Sequence, residues 1–440
     1  MSNLSELLPS GGGAKSADFV ASGTLPNGRA VVLKDNGQVE LVGLASVSET
    51  IPLGSAAVFN TGITRYNSIG FVSSNTFVIA YSDQSNSYHA TAIVGTVSGS
   101  SISFGSEVVF NAGTSYYVCL AADPNTANKV VIAYADASNS NYGTAIVGTV
   151  SGTTISFGSE AVFESAGMSY LSIAFDTITS GRIAVAYRDD GNNDYGTSCV
   201  GVVTGTSISF GTPVVYISAD IQDPCISFDS KTANKCVITY TTQSNGYGEA
   251  KVGTLSGTNS ISFGSYARFF QGATLYPAMS YDPNTAGKFL VIYGEDEDYG
   301  TASVGTVSGT SISFGTAVRF QSGAISYVSM AFDSSTAGKF VVAYRSESNS
   351  YDGTAIVGTL SGTSTSYGSI STFTVNNLTD SSDVAFDSAN AGKFLIAYSD
   401  QSNSSYGTSI LGQIAASVTN LTSTNFVGIT DQAIASGASG

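Results

Sequence analysis

The sequence predicts an all-β chain built as one seven-bladed β-propeller with four-stranded blades, on three observations. A tetrapeptide ending in tyrosine, in forms such as VIAY, AVAY and VITY, recurs at Tyr81, Tyr134, Tyr187, Tyr240, Tyr293, Tyr344 and Tyr398, spaced by 51 to 54 residues. A second anchor, the glycine of IVGTV-like segments, recurs at Gly95, Gly148, Gly201, Gly253, Gly305, Gly358 and Gly412. Composition agrees with both. Glycine supplies 49 of 440 residues and only 11% are charged, whereas long helices carry many Glu, Lys and Arg on their wet face.

Each unit reads as four short strands. The first resembles SMAFD, the second is the apolar run ending in tyrosine, the third resembles GTAIVGTV and the fourth SISFGSEVVF. Turn-forming segments such as DPNTAN and SGT separate them. Four strands in about 52 residues is the size of a propeller blade, while a β-sandwich needs about 100. In the first strand, small residues (Gly70, Ala121, Ala174, Ser227, Ser280, Ala331, Ala385) alternate with large ones. Successive side chains point to opposite faces, so each blade offers a small face to its neighbour's bulky one.

The phase of the repeat predicts how the ring closes. The segment ETIPLGSAAVF at 49–59 matches the fourth-strand pattern but precedes the first full set of inner strands. After the last third strand no fourth strand follows in phase. Segment 49–59 is therefore expected to complete the last blade, 381–414, a 3+1 closure that removes open sheet edges. The expected organisation is a β-rich anchoring segment at 1–48, the propeller at 49–414, and a tail at 415–440. Closure sends both ends out of one face, and Pro26-Asn27-Gly28 and Asp35-Asn36-Gly37 are hairpin signals from which 1–48, with the tail, is expected to form a small β module.

On the opposite face, the loops between second and third strands, such as ADASNSNYG and RDDGNNDYG, supply flat rings and adaptable hydrogen bonds. That mixture suits glycans or protein loops, and equally suits plain solvated hairpins. A tyrosine recurs six residues before the end of the inner strand at Tyr66, Tyr117, Tyr170, Tyr276 and Tyr327, with Asp223 and Ser381 in the remaining blades. The expectation is a broken tyrosine ring near the channel mouth, either as a ligand-binding rim or as packing between blades.

Much chemistry is excluded. A formal charge of −16 repels phosphate backbones and acidic membranes, so no nucleic-acid partner is expected. The start carries no basic segment followed by an apolar one, so no Sec-type signal is expected, and no apolar run is long enough for a membrane-spanning helix. One histidine rules out His-dependent triads and multi-histidine metal sites. No GK[ST] loop occurs, and the absence of tryptophan removes the Asp-box pattern of sialidase propellers. Two acidic hairpins, with Asp189, Asp190 and Asp194 in one and Glu295, Asp296, Glu297 and Asp298 in the other, offer the carboxylates a glycan hydrolase needs. The same oxygens are candidate Ca²⁺ ligands. No other cofactor is expected, and no catalytic residue. The cysteines Cys119, Cys199, Cys225 and Cys236 lack CxxC spacing and read as small buried residues, with a disulfide or metal site as the alternative.

The opening SELLPSGGG…DFVASGTLPNGRAVVLKDNG, the GTVSGTSISFG repeats with AFDxxTAGKFVVAY, and the closing NLTSTNFVGITDQAIASG resemble repeat-containing virion proteins of marine tailed bacteriophages, including cyanophages. The similarity runs over essentially the whole chain. It implies a non-enzymatic, tail-fibre-like structural protein, made in the host cytoplasm and located in the virion. Its terminal segments would contact other virion proteins, and its propeller would present a host-recognition face to a cell-surface glycan or protein. A capsid- or tail-decorating disc without ligand is the alternative, and a glycan hydrolase a further one.

Overall fold

The computed structural model describes residues 20–25, 30–34, 36–41, 49–296, 298–375, 382–415 and 426–429. The chain divides into two compact units, Thr50–Ala415 and a smaller one made of Met1–Glu49 with Ala416–Gly440.

Among the described residues the larger unit is all-β and antiparallel, with no α-helix and no helix long and apolar enough to cross a membrane. Its centres are the strands that end in, or near, the recurrent tyrosines: Thr76–Asp83, Lys129–Asp136, Arg182–Asp189, Lys235–Thr242, Lys288–Glu295, Lys339–Ser346 and Lys393–Asp400. Each pairs on one edge with an inner strand and on the other with the glycine-bearing strand, which carries a fourth partner. All seven tyrosines of the motif are fully buried. Several hold their hydroxyl on a carboxylate, as Tyr81 does on Glu107 at 2.8 Å and Tyr187 on Glu164 at 2.8 Å.

Outer and inner strands of successive sheets are not separated by a loop in the first four repeats: Ala57–Ser73, Val108–Ala122, Ala161–Phe175 and Val214–Phe228 are continuous strands of 15 or 17 residues. The first half of each is the outer strand of one sheet and the second half the inner strand of the next. Bulges make this possible, because an extra residue bends and twists a strand locally. The ladder of Ala57–Ser73 slips between Val58 and Asn60, between Asn60 and Ile63, and again between Arg65 and Ser68.

That strand also pairs across the length of the chain. Ala57, Val58, Asn60 and Ile63 oppose Ser409, Thr408, Gly407 and Tyr406 of Tyr406–Gln413. Upstream, Gly54 N donates to Leu411 O at 2.8 Å and Leu53 bridges Gly412.

Neighbouring sheets interlock through small residues and buried polar groups. A Cβ added to Gly70 would lie 2.8 Å from Leu120 Cδ2, so the small face of one inner strand meets the bulky face of the next. One level in, Ser68 Oγ accepts from Leu120 N, and Ser172 Oγ accepts from Ile226 N, both at 3.1 Å. Asp383 takes this level in the last inner strand. It accepts from Ser68 Oγ (3.0 Å) and Ile69 N (2.9 Å) on one side and from Ser329 Oγ (2.9 Å) on the other. Buried carboxylates at the inner-strand ends repeat the theme: Asp229 accepts from Gly287 N, Asp333 from Gly392 N, and Asp387 from Asn75 N.

The smaller unit contains a three-stranded antiparallel sheet in which Ala30–Leu33 lies between Val39–Leu41 and Phe426–Ile429. Ala21, Leu25, Val31 and Val39 form its core. The Pro26-Asn27-Gly28 signal and Asp35 lie outside the described residues.

Candidate functional site: a tyrosine-rimmed cavity

The inner strands converge on a cavity of about 480 Å³, within the range of small-ligand sites, roughly 300–1,000 Å³. It is lined by equivalent stretches of these strands, at 65–68, 117–119, 170–172, 223–225, 276–279, 327–330 and 382–383. The five tyrosines that the sequence singled out, Tyr66, Tyr117, Tyr170, Tyr276 and Tyr327, all lie here. Ser381 lies outside the described residues.

Their backbone is unusual. Tyr66, Tyr117, Tyr170, Tyr276 and Tyr327 have φ between 48° and 53°, and Asp223 at the same level has φ 48°. Each sits at a bulge: Arg65 opposes Ser82 while Ser68 opposes Ala80, which leaves one extra residue on the inner strand. The left-handed region costs an ordinary L-residue about 1–2 kcal/mol. The same conformation recurs at these six positions around one cavity, and also at hairpin tips such as Ser87 and Ser140.

The rings touch in sequence. Centroids are 5.3 Å apart for Tyr66 and Tyr117, 5.5 Å for Tyr117 and Tyr170, and 5.3 Å for Tyr276 and Tyr327, with interplanar angles of 40° to 45°. The chain of rings extends outward from Tyr66 to Tyr116 and on to Tyr88 in a hairpin. Tyr276 is 36% exposed, so its ring is available to a ligand. Burial raises the phenol pKa of Tyr117, Tyr170 and Tyr276, which keeps them neutral.

Cations back the rim without reaching across it. The Arg345 guanidinium lies 4.6 Å from the Tyr327 ring and pairs with Glu347 at 2.7 Å. Arg188 lies 5.9 Å from the Tyr170 ring and is held by Asp194 (2.8 Å), Asp190 (3.3 Å) and Asp220 (3.5 Å).

These pairs engage several of the carboxylates that the sequence offers as calcium ligands. Asp190 and Asp194 are spent on Arg188, and Asp190 also accepts from Ser169 Oγ at 2.8 Å. Asp189 is buried beside Glu164, and burial raises its carboxyl pKa. In the second hairpin Glu295 is clamped by Arg319 and accepts from Thr301 Oγ1, while Asp296 accepts from Ala273 N. Asp298 hydrogen-bonds Glu295 O through its backbone N–H, and Glu297 lies outside the described residues. Among the described residues no three His, Cys, Asp or Glu side chains converge as a metal site would require. The other hairpins use their polar residues locally: Asp83, Asp136 and Asp400 cap short 3-10 turns.

The cysteines are all free. Cys119 and Cys225 line the cavity wall, and burial pushes their thiols up to about 12 and about 11.

Asp223 is the exception among the carboxylates. Among the described residues no hydrogen bond or neighbouring cation offsets the burial that pushes its carboxyl up to about 6 from 3.8. A carboxyl that holds its proton more tightly when folded than when unfolded makes stability fall as pH rises, here between about pH 4 and about pH 6. Asp223→Asn is therefore expected to match the parent near pH 4 and exceed it by about 1–3 kcal/mol at pH 7. Denaturant titrations across that window check this, and parallel profiles for the two proteins would contradict it.

No protein-family model matches the chain, and no curated protein matches it. Solved structures do. The BP39L lectin from Burkholderia pseudomallei aligns with a TM-score of 0.62 at 8% identity, over 84% of this chain and 100% of that one. AofleA from Arthrobotrys oligospora aligns with a TM-score of 0.47 at 8% identity, over 80% of this chain and 96% of that one. The likeness to the BP39L lectin is one of fold.

Proposed function

We propose that the larger unit is a seven-bladed β-propeller with 3+1 closure, and that the chain is a non-enzymatic recognition protein binding glycan at the tyrosine rim. The observation that carries this is the set of five tyrosines, each held left-handed at a bulge, around one cavity. Tyrosine rings give large contact area with little entropy loss on binding, and they stack against sugar faces. The arrangement of strands supports the propeller reading: equivalent inner-strand stretches share one cavity, and 57–63 supplies the fourth strand beside Tyr406–Gln413. The fold shared with a lectin supports the ligand class.

The wording of the repeats further places the protein, in our reading, on the particle of a tailed bacteriophage, with the rim turned to the host surface. A single site of this kind binds weakly, so adsorption would draw on many copies at once. Glycan binding by the full chain, compared with a chain whose rim tyrosines are removed, tests the ligand-binding claim.

A further inference from the structure

We propose that the glycan taken by this cavity carries a cationic ammonium group, which lodges between the rim tyrosines and the carboxylate of Asp223. The inference rests on the glycan reading and narrows it. Asp223 occupies the left-handed position that is tyrosine in five other inner strands, and it lies on the wall of the same cavity. It interacts electrostatically with Tyr117, Tyr170 and Tyr276. A cation is attracted to aromatic faces by their quadrupole and to a carboxylate by charge, so a carboxylate set among tyrosines is complementary to ammonium.

The carboxylate is free for such a partner. It accepts no hydrogen bond among the described residues, and burial raises its pKa without an offsetting charge. Asp383, the other carboxylate on the wall, is already held by Ser68, Ser329 and Ile69. Among the described residues, the charged side chains on the cavity wall are Arg65, Asp223 and Asp383, and the cations behind the rim are already paired. Arg65 is set against Asp223 and Asp383 on the wall, while Arg188 is surrounded by Asp190, Asp194 and Asp220, and Arg345 by Glu347. An anionic sugar would be repelled by Asp223, and a neutral sugar would leave its charge desolvated.

Two glycan sources supply this chemistry, an amino sugar with a free amine and a sugar bearing a choline substituent. The test is titration of the full chain with glucosamine, choline, N-acetylglucosamine and glucose, followed by NMR, for the parent and for Asp223→Asn. Asparagine tolerates the left-handed backbone, and a melting curve checks that the variant is folded. At pH 8 the parent is expected to bind glucosamine or choline at least about tenfold more tightly than either neutral sugar. Asp223→Asn is expected to reduce that preference to within about twofold. Choline keeps its charge at every pH, so its binding is expected to weaken from about pH 8 to about pH 5 as Asp223 takes up its proton. Tighter binding of glucosamine points to an amino sugar, and tighter binding of choline to the substituent. Neutral sugars binding as well as the cations, or a preference that survives in Asp223→Asn, would overturn the inference and leave the glycan reading standing. No binding of any of the four would remove both.

Discussion

Deletion of residues 1–60 is expected to leave a chain that no longer melts cooperatively and aggregates through the exposed edge of Tyr406–Gln413. The deletion removes Ile51 and Phe59, both buried, and all the cross-strand partners of that edge except Ile63. Phe59 packs on Tyr81 with ring centroids 5.2 Å apart, and its ring fills the space above Gly407. Losing two such side chains costs about 5–10 kcal/mol, comparable to the whole stability of an ordinary domain. Other contacts go with them. Asn60 Nδ2 donates to Glu107 at 2.8 Å and to Asp83 at 3.2 Å, and Ser371 Oγ donates to Ile51 O at 3.0 Å. A chain of residues 49–415 keeps all of these contacts and is expected to melt within a few degrees of the parent. Thermal melts and light scattering on the two deletions check the pair. If the 1–60 deletion melts like the parent, segment 50–60 does not complete the last sheet.

The second large effect is expected from one methyl group. Phe340 opposes Gly358 directly across the ladder, and a Cβ on that glycine would lie 2.1 Å from Phe340 Cζ. The ring has no room to retreat, because it is fully buried between Phe332 (5.5 Å) and Tyr367 (5.8 Å). Gly358→Ala must then displace backbone or force the ring from its rotamer, at a cost of about 3 kcal/mol or more. For a unit of this size that is a drop in Tm of about 4 °C or more. Phe340→Leu in the same chain is expected to recover part of the loss, since the shorter side chain vacates the contested volume. The same pairing recurs at Phe77 with Gly95, Phe289 with Gly305, and Phe394 with Gly412. Gly358→Ala as stable as the parent would show that the sheets are far looser than this packing implies.

These two cases show what was legible in the sequence. The repeated glycine lies opposite a buried side chain in every repeat, Phe in four of them and Val130, Ile183 or Cys236 in the others, and the repeated tyrosine is buried four residues further along the same strand, so both leave a period. The phase of 49–59 was legible for the same reason. The rim tyrosines were visible as recurring residues, but their left-handed backbone was not, because a bulge is an offset between two strands and neither strand alone records it. The ion pairs of the acidic hairpins were not legible for a related reason. The partner of Glu295 is Arg319, 24 residues away on a neighbouring strand, and Asp220 likewise reaches Arg188 from another strand. Asp383 left a trace: it stands where other inner strands carry Ser, Cys or Ala. What a lone carboxylate does at that level depends on two neighbours that only the fold supplies. Asp223 left the same trace as a break in the tyrosine ring, and its unpartnered state emerged only with its surroundings.

The glycan-binding rim is tested most directly by the double variant Tyr276→Gly, Tyr327→Gly, measured for both melting temperature and glycan binding. Glycine is at ease at φ near +50°, so relief of left-handed strain offsets much of the lost ring contact. The variant is expected to melt within a few degrees of the parent and to lose glycan binding by about tenfold or more, as removal of two stacking rings requires. A variant that binds glycan as tightly as the parent, or that loses binding only because it has unfolded, would contradict the account and return these tyrosines to the packing between neighbouring sheets.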